Sequence, residues 1–292
     1  MNRLYIFLTA MVLTSGAQAE EVQKTLDAAA AGTVDVSNIS GSVEIKGWSR
    51  NEVSVDADLG SDVEELVFER DRDQILIEVR VPRRNSRFIE SDLVIRVPEK
   101  SAVKVGTVSA DIVIQDVLGS QTLNSVSGDI ESETFTADTE IETVSGDVNV
   151  QGDGKDTNVR VNTVSGDIEA EQLGGDIIAG TVSGDIYVVK GAFDRVRLNT
   201  TNGDMVFHAS LGKDGRFDAE TINGELDIVF QKKVSAKFEV ETFNGDIRNC
   251  FGPEPERTSK YTPGLELYFS EGEGDGRVTI KTLNGDVKLC NK

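Results

Sequence analysis

Residues 159–170 read V-R-V-N-T-V-S-G-D-I-E-A, and their central hexad, T-V-S-G-D-I at Thr163–Ile168, recurs along the chain. On both sides of the hexad, apolar residues occupy every second position, which is typical of β-strands with one buried face. The glycine inside the hexad permits a sharp bend between two such strands. Each copy therefore predicts two short strands that meet at a corner.

Nine copies of the hexad follow one another at nearly constant spacing. They are Thr107–Ile112, Ser125–Ile130, Thr143–Val148, Thr163–Ile168, Thr181–Ile186, Thr200–Met205, Thr221–Leu226, Thr242–Ile247 and Thr282–Val287. The glycine slots of successive copies, from position 110 to position 285, are 18, 18, 20, 18, 19, 21, 21 and 40 residues apart. The double step predicts a degenerate copy near Thr262-Pro263-Gly264, and a separate copy, Asn38–Val43, lies near the N-terminus.

A repeat of about 20 residues is too short for helical-pair or propeller-blade repeats and suits one coil of a parallel β-solenoid. We predict an all-β, right-handed parallel β-solenoid of about ten coils of 18–21 residues, because crossovers of this kind are nearly always right-handed. Nine steps of about 4.8 Å between positions 110 and 285 predict a stack roughly 43 Å long.

The slots of the hexad predict which side chains enter the core. We expect the apolar residue after the Thr slot to point inward in every coil, at Val108, Val126, Val144, Val164, Val182, Ile222, Phe243 and Leu283. The last slot predicts a second inward row, at Ile112, Ile130, Val148, Ile168, Ile186, Met205, Leu226, Ile247 and Val287. The Thr slot would then face outward, where Thr together with the following Ser or Asn could bind ice or sugar; the alternative is that Thr is simply a good strand residue.

The slot before glycine holds hydroxyl or amide side chains, which we expect to hydrogen-bond from one coil to the next. Its residues are Ser109, Ser127, Ser145, Ser165, Ser183, Asn202, Asn223, Asn244 and Asn284.

The slot after glycine is acidic in every copy, and we call its residues the acidic ladder. They are Asp111, Asp129, Asp147, Asp167, Asp185, Asp204, Glu225, Asp246 and Asp286. Stacked like charges repel, so we expect each carboxylate to face water and accept hydrogen bonds from turn amides. The alternative is a row of calcium ions bridging neighbouring carboxylates, although the nonapeptide of calcium-binding β-rolls is absent.

Cys250 and Cys290 each lie five residues after a glycine slot. With a full coil between them they would be about 9.6 Å apart, whereas a disulfide requires Cα atoms within roughly 7 Å. Residues 251–264 contain three of the five prolines of the chain, which predicts that this segment leaves the stack as a loop. Leu265–Phe269 could then pair irregularly or as an antiparallel arm with Arg277–Lys281. We predict that the disulfide forms and fixes a C-terminal cap.

The N-terminus has the pattern of a signal peptide. Arg3 precedes the apolar run Leu4–Leu13, and Ala17-Gln18-Ala19 fits a signal-peptidase site. The apolar run is too short to cross a membrane, which requires about 20 residues. We therefore expect a signal peptide at 1–19, an N-terminal β region and cap at 20–100, and solenoid repeats with a C-terminal cap at 101–292. The mature chain would have no transmembrane segment and would be exported to the periplasm or cell surface.

The composition excludes several classes of function. The chain has 30 Lys and Arg against 51 Asp and Glu, a net charge of -21, with two Cys and one His. Nucleic acid is excluded as a main partner because no basic face can neutralise phosphates. One His and two Cys cannot form a zinc site without carboxylates, and any His-dependent triad would require His208. Alternation predicts an outward-facing, surface His208.

The pattern resembles the DUF4097 family, which is often labelled "putative adhesin". The resemblance is carried by Ile39–Trp48 (I-S-G-S-V-E-I-K-G-W), by Asp92–Pro98 and by the run of hexads, and it covers nearly all of the mature chain. It implies a β-solenoid exported to the envelope or surface, and it supplies no catalytic residues.

These observations favour a non-enzymatic, exported β-solenoid that acts as an acidic interaction or adhesion scaffold in the cell envelope. Its partner would be an envelope protein or glycan, and no cofactor is required. The second hypothesis is a calcium-assisted carbohydrate-binding or adhesion module. The third is an enzyme acting on polysaccharide, which is less favoured because coils of 18–21 residues leave only short turns to build a cleft.

Overall fold

A computed structural model describes residues 20–82, 87–259 and 263–292. The signal peptide expected at 1–19 lies outside the described residues. The described residues form 23 β-strands. None of the described residues belongs to a helix long and apolar enough to span a membrane.

The strands of the first third are between 7 and 16 residues long. They are β1 (Glu20–Asp27), β2 (Thr33–Trp48), β3 (Glu52–Leu59), β4 (Glu65–Asp71), β5 (Gln74–Arg80), β6 (Ser91–Pro98) and β7 (Ala102–Gln115).

The repeats begin with pairs of short strands and continue with longer strands that run through both sides of a coil. They are β8 (Gln121–Asn124), β9 (Ile130–Glu133), β10 (Thr139–Glu142), β11 (Val148–Gln151), β12 (Asp156–Asn162), β13 (Ile168–Glu171), β14 (Gly174–Gly180), β15 (Ile186–Asn199), β16 (Met205–Asn223), β17 (Leu226–Phe230), β18 (Ala236–Asn244) and β19 (Ile247–Asn249). The chain ends with β20 (Glu256–Arg257), β21 (Leu265–Glu271), β22 (Gly276–Asn284) and β23 (Val287–Asn291).

Parallel pairing between successive coils builds the solenoid. In the coil around Gly166, β12 pairs in parallel with β10 and β14, and β13 pairs in parallel with β11 and β15. The hexad joins the two strands of each coil, so all hexads lie at one corner of the stack. This arrangement confirms the predicted β-solenoid.

Close stacking explains why the corner requires glycine. A Cβ atom on Gly166 would lie 2.1 Å from the carbonyl oxygen of Gly146, and one on Gly184 would lie 2.0 Å from that of Gly166. No side chain fits at these distances without moving the backbone. The glycine slot is therefore fixed by the contact between coils as well as by the bend.

The core confirms one of the two expected inward rows. The last slot of the hexad is buried in every coil, from Ile112 and Ile130 at 0% exposure to Ile247 at 7%. Between the two strands of the C-terminal coils, phenylalanine rings pack edge to face or tilted: Phe207 lies 4.8 Å from Phe217 and 5.8 Å from Phe230, measured between ring centroids. At the position of Phe207 the earlier coils carry smaller side chains: Val188, Ala170, Val150, Ser132 and Ile114.

The separate N-terminal hexad belongs to the stack. β2 pairs in parallel with β7, with Asn38 opposite Thr107 and Gly41 opposite Ala110. On its other side β2 pairs in parallel with β5 and β6. Beyond these strands the pairing becomes antiparallel, because β3 pairs with β6, β1 with β3, and β4 with β5. The N-terminal third therefore supplies two parallel layers of the stack, β2 and then β5 with β6, and the antiparallel strands follow beyond them.

The C-terminal coils are not stacked in sequence order. β22 lies between β16 and β18 and pairs in parallel with both, and β23 likewise lies between β17 and β19. The coils of Gly245 and Gly285 are therefore direct neighbours, and the described residues form no coil between them. Pro263 and Gly264 lead into β21, which is antiparallel to β18. The prediction of a degenerate hexad copy at this place was therefore wrong; Thr262 lies outside the described residues.

The disulfide between Cys250 and Cys290 is confirmed, with Cα atoms 4.8 Å apart. The route by which the cysteines meet differs from the expected one. They sit at the ends of neighbouring parallel strands, in which Asn249 pairs with Leu289. The expected arm does form an antiparallel pair, but with β18 rather than with Arg277–Lys281. The coil of Gly285, which contains β22 and β23, is inserted between the coils of Gly224 and Gly245. Cys250 and Cys290 therefore lie in adjacent coils rather than two coils apart.

Candidate interaction surface

The apolar slot after Thr faces solvent, so the first expected inward row was wrong. Its eight apolar side chains are each 45–49% exposed, and we call them the apolar ladder. In spatial order they are Val108, Val126, Val144, Val164, Val182, Ile222, Leu283 and Phe243, with Thr201 in the slot between Val182 and Ile222. The structure thus places a row of apolar side chains along the outside of the corner.

The Thr slot points inward, which corrects the expected outward T-x-S array. Thr163 is 5% exposed and Thr242 is 3% exposed. Several of these hydroxyls donate to a backbone carbonyl of the neighbouring coil, as Thr200 does to Gly184 at 3.2 Å and Thr242 to Gly285 at 3.0 Å. A buried hydroxyl is tolerated where such a carbonyl is available.

Alternation within the strand was the signal that sequence reasoning missed. Val159 and Val161 are buried, and the next position of the same parity is Thr163. Val164 has the opposite parity and must face solvent as long as the strand remains extended. The apolar residues in the slot after Thr suggested burial, but the alternation of side chains along the strand determines that they face solvent.

The Ser and Asn slot lies beside the apolar ladder on the exposed surface. In the C-terminal coils its amides form a continuous chain of hydrogen bonds: the Nδ2 of Asn223 donates to Oδ1 of Asn202, that of Asn284 to Asn223, and that of Asn244 to Asn284, each at 2.8 Å. This confirms hydrogen bonding from coil to coil for the asparagines. The serines continue the same row through backbone bridges such as Ser145 with Ser165.

The acidic ladder faces solvent, and most neighbouring rungs are linked by a hydrogen bond from a backbone amide to a carboxylate. The amide of Asp147 donates to Oδ1 of Asp129 at 2.9 Å, and the amide of Asp167 donates to Oδ1 of Asp147 at 2.9 Å. Equivalent bonds of 2.7–3.0 Å link most of the other neighbouring rungs. One oxygen of each such carboxylate therefore accepts a backbone N–H, which offsets part of the repulsion between stacked charges.

This arrangement leaves few oxygen ligands for a cation. Calcium takes six to eight oxygens, whereas the ladder has one carboxylate per coil and most have an oxygen engaged by an amide. Within the described ranges, no group of three or more His, Cys, Asp or Glu side chains is placed to hold a metal ion.

His208 faces outward on the second strand of its coil, as alternation predicts. Its Nε2 lies 3.4 Å from Oδ2 of Asp227, and the Nζ of Lys288 lies 3.0 Å from the same oxygen. Asp227 thus pairs with two potentially cationic groups in the coils on either side of it. The arrangement is a surface ion-pair cluster.

Two tyrosines lie next to carboxylates on this exposed framework. The hydroxyl of Tyr268 donates to Oε1 of Glu241 at 2.7 Å, and this bond to a negative group raises the pKa of Tyr268 to about 12. Tyr187 donates to Oδ2 of Asp185 in the acidic ladder at 3.0 Å, and that bond likewise raises the pKa of Tyr187. Both tyrosines remain neutral donors at neutral pH.

The surface clefts are open and shallow. A cleft of about 680 Å³ at the N-terminal end is lined by Val22, Lys24 and residues 59–66. Smaller depressions of about 300 Å³ follow the acidic ladder, one of them beside Glu225, Asp246 and Asp286. Flat rows of side chains, rather than an enclosed pocket, dominate the corner.

The fold and the corner define a parallel β-solenoid with three exposed rows of side chains: apolar, hydroxyl or amide, and acidic. The Toastrack DUF4097 family model matches residues 12–177 and 69–290, and the chain belongs to this family. The sequence resemblance to DUF4097 is thereby confirmed.

Several solved structures are similar to the chain at low sequence identity. A "putative adhesin" from Bacteroides fragilis is 12% identical with a TM-score of 0.48, covering 94% of this chain and 97% of that chain. A "putative lipid binding protein" from Parabacteroides distasonis is 16% identical with a TM-score of 0.46, covering 93% and 98%. A "putative cell adhesion protein" from Clostridium sporogenes is 10% identical with a TM-score of 0.32, covering 94% and 100%. No curated protein matches the chain.

Proposed function

We propose that this chain is an exported, non-enzymatic β-solenoid that acts as an acidic interaction or adhesion scaffold in the bacterial cell envelope. Its partner would be an envelope protein or a glycan, and the exposed corner would be the binding surface. The observation that carries this proposal is the row of half-exposed apolar side chains beside the acidic ladder. Soluble proteins seldom expose contiguous apolar surface unless it binds something.

The shape of the surface supports binding rather than catalysis. An enzyme requires a nucleophile, base or acid held in a cleft that excludes water. Here the coils are joined by short turns, and His208 is paired with Asp227 on an open strand face. The repeated rows instead present the same chemistry at every coil, which suits an extended partner.

Export is part of the proposal and rests on two features. Residues 1–19 have the sequence of a signal peptide, and the disulfide between Cys250 and Cys290 suits an oxidising compartment. The periplasm and the cell surface both meet this requirement.

The test is affinity capture from envelope extracts with two matched double variants. Thr201 occupies one slot of the apolar ladder, so threonine is compatible with this position. The test variant is Val144→Thr/Val164→Thr. The control is Val206→Thr/Val229→Thr, which makes the same chemical change on the outward face of the second strands, where both valines are half-buried. Pretreating the extract with protease or with glycan-cleaving enzymes identifies the class of partner.

We expect the wild-type chain and the control variant to retain the same partner, and the Val144→Thr/Val164→Thr variant to lose it. Equal capture by all three proteins would show that the corner is not the binding surface. Turnover of an envelope polysaccharide by the purified chain would contradict the non-enzymatic assignment.

A further inference from the structure

The five valines that open the apolar ladder form a uniform strip, which we call the valine strip. They are Val108, Val126, Val144, Val164 and Val182. Elsewhere in the repeats the valines that alternate with polar residues, such as Val150 and Val161, are fully buried. With Ile222, Leu283 and Phe243, the exposed apolar area of the corner is on the order of 600 Å², the upper end of what soluble monomers expose.

The charges on the two flanks of the valine strip restrict what can cover it. Three positions further along the chain, each valine is followed by an Asp of the acidic ladder, from Asp111 to Asp185. The other flank, two positions before each valine, contains Gly106, Asn124, Glu142, Asn162 and Gly180. Neither flank of the strip carries a basic side chain, so a second copy packed corner against corner offers no charge complement. An anionic membrane surface would be repelled by the acidic ladder.

The spacing of the valines restricts the conformation of the partner. Successive coils are about 4.8 Å apart. Apolar residues three or four positions apart on a helix are separated by about 4.5–6 Å along its axis. Residues on one face of a strand recur at about 6.8 Å, which falls out of step with the coils after two contacts. A helix laid along the corner therefore keeps its apolar side chains beside successive valines.

We propose that the valine strip and the adjacent part of the acidic ladder bind a basic amphipathic helix of a partner protein. This inference rests on the proposed function and names the class of partner. Four steps between five valines span about 19 Å, which corresponds to a helix of about 13 residues. The partner helix presents one apolar stripe to the valines and Lys or Arg along the flank that faces the Asp residues.

The probe is a labelled synthetic peptide of about 15 residues with leucines at spacings of three and four and lysines along one flank. A peptide of the same composition in scrambled order is its control. Fluorescence anisotropy with the purified chain should show saturable binding of the amphipathic peptide that weakens with salt. Val144→Thr/Val164→Thr should weaken binding about tenfold, and Val206→Thr/Val229→Thr should leave it unchanged.

Asp147→Asn/Asp167→Asn tests the charge without disturbing the backbone. Asparagine retains Oδ1, so each side chain still accepts the amide of the next coil. We expect this variant to bind the peptide several-fold more weakly and to lose part of the salt dependence. Unchanged melting temperature for both double variants would confirm that only the surface has changed.

Four results would overturn the inference. They are equal binding of the scrambled peptide, peptide binding that does not respond to Val144→Thr/Val164→Thr, binding to vesicles of anionic phospholipid in place of the peptide, and self-association that depends on the valine strip in sedimentation. If the peptide fails while envelope capture still depends on the strip, the proposed function stands and the helical class of partner is wrong. If capture is also independent of the strip, both fail.

Discussion

Single substitutions within one coil should distinguish the inward from the outward positions of the hexad. Ile168 is fully buried and pairs in register with Val148 and Ile186. Truncating such a side chain leaves a cavity between three stacked coils, so Ile168→Ala should lower the free energy of unfolding by about 3 kcal/mol. Val164 is 46% exposed, and Val164→Ala should change this free energy by no more than about 0.5 kcal/mol.

A substitution at the inward-facing Thr163 should stabilise the fold. Thr163 is 5% exposed, and no partner for its hydroxyl is found in the part of the chain that the structure describes. A buried hydroxyl without a hydrogen bond is destabilising by about 1–3 kcal/mol. Thr163→Val keeps the shape and replaces the hydroxyl by a methyl group, so it should raise the free energy of unfolding by about 1 kcal/mol.

Equilibrium urea denaturation followed by far-ultraviolet circular dichroism measures all three variants against wild type. The differences are read from the midpoints, provided that the slope of free energy against urea is unchanged. The expected order of stability is Thr163→Val, wild type, Val164→Ala and then Ile168→Ala. A loss at Val164→Ala as large as that at Ile168→Ala would show that the valine is in the core and that the corner is assigned wrongly.

Three further predictions concern the ends and the surface of the solenoid. Cys250→Ser/Cys290→Ser should lower the free energy of unfolding by about 4 kcal/mol for a loop of this length; two free thiols in the wild-type chain, denatured without reductant, would contradict the disulfide. Because most carboxylates of the acidic ladder already accept a hydrogen bond from a backbone amide, the melting temperatures in calcium and in chelator should agree at equal ionic strength. A large rise of the melting temperature with calcium would instead support calcium binding. The pKa of the Tyr268 phenol should be about 12 by absorbance titration, since the phenol donates a hydrogen bond to Glu241 and this carboxylate opposes a second negative charge; Glu241→Gln should return the pKa toward the ordinary value of about 10.

The repeat could be predicted from the sequence because every coil must place the same residue types at the same corner. Gly166 shows why this signal is so regular, since its missing Cβ is required by the carbonyl of Gly146. The buried row that includes Ile168 followed from its place after the glycine. The prediction that Val164 points inward was wrong, because it followed the hydrophobicity of this residue rather than the strict alternation from Val159 through Thr163.

The order of the last two coils could not be predicted from local sequence. The hexads at Thr221–Leu226, Thr242–Ile247 and Thr282–Val287 carry equivalent slots, so each could stack on either of the others. The observed order is accompanied by the antiparallel pairing of β21 with β18 and by the disulfide. These are long-range contacts, and no window of about 20 residues contains them.

The position of the Gly285 coil in the stack determines which strand edges at the C-terminal end are paired. Because β22 and β23 return into the stack, each is paired on both sides. At the N-terminal end the outer strands are antiparallel and carry charges: β1 contains Glu21 and Lys24, and β4 contains Glu65 and Arg70. Charged edges of this kind discourage pairing with another chain.

Backbone pairing at the N-terminal end is therefore a poor route of recognition, whereas the long faces of the solenoid are accessible. On those faces most outward residues are polar and differ from coil to coil, as Glu140, Arg160 and Ile178 do at one position of the first strand. The corner is different because its apolar and acidic rows repeat without change over the coils from Val108 to Val182. Under the proposed function, a partner that binds along the stack axis would meet the same valine and aspartate side chains at each of these coils.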